Sequence, residues 1–444
     1  MALRIADTQV GRVVGIACGN PSYTVFKGIP YAAPPVGPLR FRPPERPAPW
    51  AGVKKCDTFG PMAMQGVPSP GDFYQKEFFP VNLPMSEDCL YLNVWTPSLS
   101  LDEKCPVMVW IHGGAYVAGC GHEMEFDGEA FCKRGVILVT INYRLGIFGY
   151  FAHKELSRES DKGVSGNYGL LDQIFALKWV KDNIHAFGGD ADNVTVFGQS
   201  AGGGSVQSLV CSPLASDLFH KAIVQSAAGI GLPNVDSLAD AESFGEEIRK
   251  ISGYDLPTFK ALPTNKLYEL TGAAIGHRIE KEGSFKLWFS PNVDGYVLPK
   301  SPVAAIPAGE HMNIPYIIGT VAKDHEPHLA FCPINWAKNH CRLGLTPVYI
   351  YHFCHDIPGD DNPGAFHSGE LWYIFGTLAR CHRPMEARDY QLSLQMTDYW
   401  TNFAKQGNPN CEGLSLWSAY TIESPKIHEF NSCLKSIKTQ GGIA

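Results

Sequence analysis

The pentapeptide Gly198-Gln199-Ser200-Ala201-Gly202 places a serine between small residues. The apolar stretch Val194-Thr195-Val196-Phe197 runs into it, and Gly203-Gly204-Ser205 leads away into Val206-Gln207-Ser208-Leu209-Val210. A strand, a sharp turn and a helix in that order would hold a serine hydroxyl above a sheet in a strained backbone conformation. Glycines two residues to either side leave room for it. The following helix would aim unpaired N–H groups and the positive end of its dipole at an oxyanion. A phosphate cradle is the competing use of such a turn, but no Lys-Ser/Thr pair follows the glycines. A second element, His112-Gly113-Gly114-Ala115-Tyr116, directly follows an apolar run. Its small residues let backbone amides approach a reacting carbonyl, and each such donor is worth about 3 kcal/mol of barrier. Read together, the two elements point to attack by Ser200 on a carbonyl carbon.

These pieces need a scaffold. Three apolar runs, Cys89 to Trp95, Pro106 to His112 and Val136 to Asn142, read as buried parallel strands, because continuous hydrophobicity suits a strand covered on both faces. From Gly169 to Ala186, residues Leu170, Leu171, Ile174, Leu177, Trp179 and Ile184 recur near a helical period. Gly188-Gly189-Asp190 ends that helix and Asn193 to Phe197 is the next strand. Strand, helix, strand predicts an α/β chain with a doubly wound, mostly parallel sheet, read as a single catalytic domain over residues 1–444. The first residues read as short strands broken by Gly11 and Gly15. The run from Gly28 to Pro44 holds six prolines and two glycines, which excludes a helix or a central strand there.

Composition narrows the class. Of 444 residues, 45% are hydrophobic and 18% charged, which suits a folded soluble chain and not a disordered one. The net charge of −7, without a basic cluster, argues against nucleic acid as a partner. No basic start with an apolar run marks an export signal, and no apolar run reaches membrane-spanning length, so no membrane partner is expected. Thirteen scattered cysteines then suggest a reducing, cytoplasmic setting. Oligomeric state is left open between monomer and homodimer.

Longer segments carry a resemblance. Phe26 to Gly37, Ser86 to Trp95, Asn142 to Gly146, Gly166 to Gln173, Phe197 to Gly203, Phe219 to Ser226 and Trp400 to Pro409 resemble the type-B carboxylesterase/lipase family, especially its bacterial para-nitrobenzyl-esterase-like carboxylesterases. The likeness runs over nearly the whole chain. It implies an α/β-hydrolase fold with helices on both faces of the sheet, a small-molecule ester as substrate, and no cofactor or metal.

The same resemblance supplies the partners of Ser200. Seven of the fifteen histidines lie between His325 and His382, so spacing alone does not choose among them. The family's histidine loop matches Gly364 to Gly376 and implies His367 as the base. The segment Ile317 to Asp324 resembles the strand end that carries the acid, five positions after Gly319, and implies Asp324; a two-residue slip makes Glu326 the acid instead. The expected mechanism is a Ser200–His367–Asp324 triad acting through an acyl-enzyme, with backbone N–H groups of Gly114, Ala115 and Ala201 around the oxyanion. Phe285, Leu287 and Phe289 resemble the acyl pocket, with plain core as their alternative. Arg40 with Glu87, and Arg144 with Asp172, match internal ion pairs.

Departures from the family matter as much. Asp324 and His367 are only 43 positions apart, where relatives usually carry a much longer segment, so the region around 324–366 is expected to be shortened. A wider pocket for bulky aryl or alkyl esters is the preferred consequence; a catalytically weak or silent chain serving as a binding protein is the alternative. Cys89 lacks its usual partner, since Ala63 stands there, and a free thiol is expected, with Cys56 the nearest substitute. Gln199 is neutral, and no Trp lies between Trp50 and Trp95, which argues against choline esters. Phe73-Tyr74 and Phe78-Phe79 are candidates for the site's walls, or for surface packing. His325, His328, Cys332, His340, Cys341, His352, Cys354 and His355 offer zinc-type ligands, but Pro327 opposes the helix that a metal motif would need.

Overall fold

The computed structural model describes residues 2–17, 19–66, 71–78, 83–227, 236–283, 286–325, 329 and 331–431. Among them, nine strands build the central sheet. In chain order they are β1 (Thr24–Pro30), β2 (Tyr91–Thr96), β3 (Cys105–Ile111), β4 (Ile137–Ile141), β5 (Gly189–Gln199), β6 (Lys221–Gln225), β7 (Tyr316–Val321), β8 (Val348–Phe353) and β9 (His428–Phe430). Across the sheet the order is β9-β8-β7-β6-β5-β3-β4-β2-β1. The seven strands from β9 to β4 pair in parallel. The run expected as a first parallel strand, now β2, is instead antiparallel to both β1 and β4. Its continuous hydrophobicity reported burial on both faces, which says nothing about direction. The beginning of the Pro-rich run joins β1, which lies at the sheet edge, where proline is tolerated.

Alternation along the strands feeds two cores. Val107, Val109 and Ile111 of β3 meet Leu170, Leu177 and Val180 on one face, whereas Met108 and Trp110 meet Trp372, Trp400 and Phe403 on the other. Four helices matter for the site: α1 (Phe73–Phe78), α2 (Tyr168–Asn183), α3 (Ala201–Leu209) and α4 (Ala387–Gln406). α2 continues as a 3₁₀ turn over Ile184–Phe187 and stops at Gly188, whose φ of 77° suits glycine. α3 packs on the first face and α4 on the second, so the sheet is covered on both sides.

The register lines up the strand ends that matter. Ile111 of β3 pairs with Gly198 of β5, Gln199 with Gln225 of β6, and Gln225 with Gly319 of β7. Loops leaving these carboxyl ends therefore emerge side by side, where α/β sheets place their ligands. Two expected ion pairs brace the scaffold: Arg144 with Asp172 at 2.6 Å, fully buried, and Arg40 with Glu87 at 2.6 Å. Cys56 and Cys89 are both free and buried, and burial pushes the Cys56 thiol up to about 12. No helix among the described residues is long and apolar enough to cross a membrane.

Candidate active site

Ser200 stands between β5 and α3 with φ 56° and ψ −126°, a conformation that L-residues rarely adopt. The turn is held from both sides, by a bond from its N–H to the Gln225 carbonyl (2.9 Å) and by one from the Gly204 N–H to its own carbonyl (2.8 Å). The flanking glycines are steric requirements. A Cβ on Gly202 would lie 2.0 Å from the Ile111 carbonyl oxygen, and one on Gly198 would lie 2.6 Å from the Gly202 backbone.

Facing this turn is the loop after β3. Gly114, Ala115 and Tyr116 all have positive φ (101°, 54° and 62°), and the Gly114 carbonyl accepts from both Val117 N–H and Ala118 N–H at 2.9 Å. A Cβ on Gly113 would sit 3.2 Å from Ser200 Cβ, so this backbone is pressed against the serine. Among the described residues, no backbone acceptor takes the N–H groups of Gly114, Ala115 or Ala201. The loop is rigidly seated. Tyr143 donates to the His112 carbonyl (2.9 Å), while the Gln65 side chain bonds both the N–H (2.8 Å) and the carbonyl (2.9 Å) of Gly119. Burial pushes the His112 imidazole down to about 4, so it packs as a neutral ring under Tyr143.

Asp324 and His367 are joined through their loops before their side chains meet. Lys323 forms a lone parallel bridge with Phe366, and its N–H donates to the Ala365 carbonyl at 2.9 Å. His367 Nδ1 then hydrogen-bonds to Asp324 Oδ1, with both side chains 5% exposed. Burial alone would raise the Asp324 carboxyl. The hydrogen bond and charge of His367, the neighbouring Ser226 hydroxyl and the His325 N–H outweigh that and hold it below the ordinary carboxylate range. On the far side of the ring, His367 Nε2 accepts from the Gln199 side-chain amide at 3.2 Å, and Gln199 Oε1 accepts from Ser368 at 3.0 Å. Among the described residues it is Gln199, and not the adjacent Ser200 hydroxyl, that reaches Nε2.

Of the other expected positions, Glu326 and Phe285 lie outside the described residues, as does Phe79. Leu287 is half-buried, and Phe289 is buried in a cluster with Phe244, Trp288, Tyr116 and Ala201. Phe73, Tyr74 and Phe78 sit on α1, packed against the histidine loop. Of the zinc-type candidates, His328 lies outside the described residues, and three of the others are tied into separate contacts: His340 to His311 (3.0 Å), His355 to Asp389 (2.6 Å), and Cys341 to the Tyr420 carbonyl (3.3 Å). The group that does converge among the described residues is Glu77, Cys381 and His382, but the Arg383 guanidinium already occupies both oxygens of Glu77. A cation there would face a buried positive charge.

Several neighbours of the pair escaped the sequence. Ser226 and Glu370 both fall in segments that carry the family resemblance, yet nothing in their type marks them as close to Asp324. Glu370 is fully buried, accepts weakly from Gln225 (3.4 Å) and has an unpartnered Oε2. Burial, with the Asp324 charge adding to it, pushes its carboxyl up to about 8.

Likeness to known proteins extends over nearly the whole chain. The chain matches the Carboxylesterase family over residues 3–332 and 325–441. It is 36% identical over 479 aligned positions to the para-nitrobenzyl esterase of Bacillus subtilis (strain 168), covering 96% of this chain and 94% of that one. It is 33% identical to the fumonisin B1 esterase of Sphingopyxis macrogoltabida, covering 94% of this chain and 84% of that one. Among solved structures, a thermophilic PNB esterase superposes with a TM-score of 0.85 at 33% identity, covering 97% of this chain and 96% of that one.

Proposed function

The chain belongs to the carboxylesterase family and is a carboxylic-ester hydrolase, and from that premise we propose that it works through a Ser200–His367–Asp324 triad and an acyl-enzyme on Ser200. The observation that carries this reading is the buried hydrogen bond between His367 Nδ1 and Asp324 Oδ1, beside a serine held at positive φ. With its Nδ1 proton committed to Asp324, the imidazole presents the lone pair of Nε2, as a general base must. Gln199 occupies that lone pair in the resting geometry, and catalytic hydrogen bonds commonly tighten only when substrate arrives. The amide then yields its place to the Ser200 hydroxyl.

Ser200 Oγ forms a bond to the ester carbonyl carbon while its proton passes to His367 Nε2, and the negative charge moves to the carbonyl oxygen. The N–H groups of Gly114, Ala115 and Ala201 receive that oxygen; Ala115 serves as well as glycine because only its backbone takes part. The carbon–oxygen bond to the alcohol breaks, the alkoxide takes the proton from His367, and the acyl group stays on Ser200. Water repeats the sequence and releases the acid. Asp324 stabilises the imidazolium throughout, and Phe289, clustered with Tyr116 and Ala201, is assigned with Leu287 to the acyl side.

We read residues 1–444 as one catalytic domain with a shortened roof. The aligned span of 479 positions with the Bacillus relative is longer than the 444-residue chain itself, which supports a shortening. Substrates are therefore small to bulky aryl or alkyl esters. Free Cys56 and Cys89 support a reducing cytoplasm as the place of work. Assays of p-nitrophenyl esters of increasing acyl length, with Ser200→Ala alongside, test the reading. Turnover that persists in Ser200→Ala overturns the mechanism, and strict preference for acetyl overturns the open roof.

A further inference from the structure

Directly over the imidazole of His367 lies a second one. The ring centroids of His325 and His367 are 4.2 Å apart with 39° between their planes. His325 follows Asp324 in sequence, and its N–H donates to Asp324 Oδ1 at 3.1 Å. Its ring is exposed, while His367 beneath it is 4% exposed. The outer imidazole therefore forms part of the wall between the inner one and water.

A third side chain closes this arrangement. The Tyr74 hydroxyl lies 3.3 Å from His325 Nε2 and 3.4 Å from the main-chain carbonyl of His367. A phenol has one proton to give. Donating it to the carbonyl leaves its oxygen to accept from His325 Nε2–H, and both contacts are then satisfied at once. Burial, reinforced by the nearby Asp324, Glu370 and Glu77 charges, pushes the Tyr74 hydroxyl up, so it stays a donor at any working pH.

Tyr74 is itself held in place from the histidine loop's side. Phe73 meets Phe366 edge-on at 4.9 Å, and Phe78 stacks on Trp372 at 5.9 Å. Glu77 of the same helix pairs with buried Arg383, whose guanidinium lies over both Phe73 (5.6 Å) and Phe366 (5.4 Å). Helix α1 is thus fastened to the loop that carries His367, and its one polar aromatic points at the base.

We propose that Tyr74 and His325 are positioning residues for the reaction, a clamp that fixes the plane of the His367 imidazole while Asp324 fixes its edge. The proposal rests on the reading of His367 as the base. His325 sets the tilt of the ring by stacking, and Tyr74 ties that stack to the His367 backbone. Where a longer segment would roof the site, these two side chains keep the base in register with the serine. Neither exchanges a proton with the substrate.

The test is a set of full-length variants, His325→Ala, His325→Phe and Tyr74→Phe, assayed on one p-nitrophenyl ester. Melting curves and the rate of Ser200 labelling by a fluorophosphonate are measured in parallel. A base out of plane by a fraction of an ångström loses roughly ten- to a hundredfold in rate, so His325→Ala lowers kcat by about that factor with KM within about threefold. His325→Phe, which keeps a flat ring, recovers most of the loss, and Tyr74→Phe costs about three- to tenfold in kcat. Unchanged kcat in His325→Ala and Tyr74→Phe overturns the clamp, as does a rise in KM alone, which would make these residues substrate contacts. Failure of His325→Phe to outperform His325→Ala overturns the stacking role. Should His325→Ala melt far below wild type, the near-isosteric Tyr74→Phe and His325→Phe decide. If wild type itself is not labelled at Ser200, the triad reading fails, a result distinct from any of these.

Discussion

Replacing Asp324 by Asn keeps the shape of the side chain and reverses its chemistry. Asp324 and His367 are each 5% exposed and share a hydrogen bond through Nδ1. The Asn amide would donate to Nδ1, forcing the imidazole proton onto Nε2, where a base must have its lone pair. The carboxylate charge that stabilises the imidazolium would also vanish from a buried site. Breaking such a buried pair costs about 3–5 kcal/mol, which at 1.36 kcal/mol per decade is roughly 10²- to 10⁴-fold in kcat/KM. The assay is kcat/KM on p-nitrophenyl acetate and butyrate between pH 6 and 9, with thermal melts to show that the variant is folded. Glu326→Gln is measured beside it and should stay within about threefold of wild type, since the triad then holds its acid without it. A loss under tenfold in Asp324→Asn, or a larger loss in Glu326→Gln, refutes the assignment of the acid.

Other outcomes follow from the surroundings of the pair. Glu370 has a folded-state value raised from 4.5 to about 8, so the folded chain binds the extra proton between those values and stability falls as pH rises through that window. Glu370→Gln should flatten the fall in unfolding free energy between pH 5 and 8 by an amount on the order of a few kcal/mol; parallel wild-type and variant curves would contradict this. Gly202→Ala would put a Cβ 2.0 Å from the Ile111 carbonyl oxygen, so β3 and α3 must part. A loss of about 2 kcal/mol or more and of most activity is expected, and wild-type melting with full turnover would contradict it. Gln199→Ala frees His367 Nε2 from a neutral hydrogen bond worth about 1 kcal/mol, and fluorophosphonate inactivation should quicken roughly fivefold. Slower inactivation would mean that the amide orients the ring more than it competes for it.

What the sequence made legible follows from how local each signal is. β3, β4 and β5 were readable because a strand buried on both faces must be apolar throughout. The serine turn was readable because one of its glycines is demanded by a contact within the turn itself, Gly198 against the Gly202 backbone. The direction of β2 was not, since both orientations bury the same side chains. The acid stayed a choice between Asp324 and Glu326 because a loop's register is set by the Lys323–Phe366 bridge and not by its own composition. Tyr74 and His325 are 251 positions apart, and only the folded sheet brings α1 over the histidine loop. Glu370 and Ser226 are ordinary polar residues until the fold buries them beside Asp324.

The acyl-enzyme itself is the most direct object to measure. Wild-type protein is mixed with excess p-nitrophenyl butyrate, quenched in acid within the first turnover, digested and read by tandem mass spectrometry. A butyryl group is expected on the peptide that contains Ser200, localised to that serine, and is expected to be absent in Ser200→Ala. Rapid turnover with no acyl group on Ser200, or with the group on another residue, would contradict it.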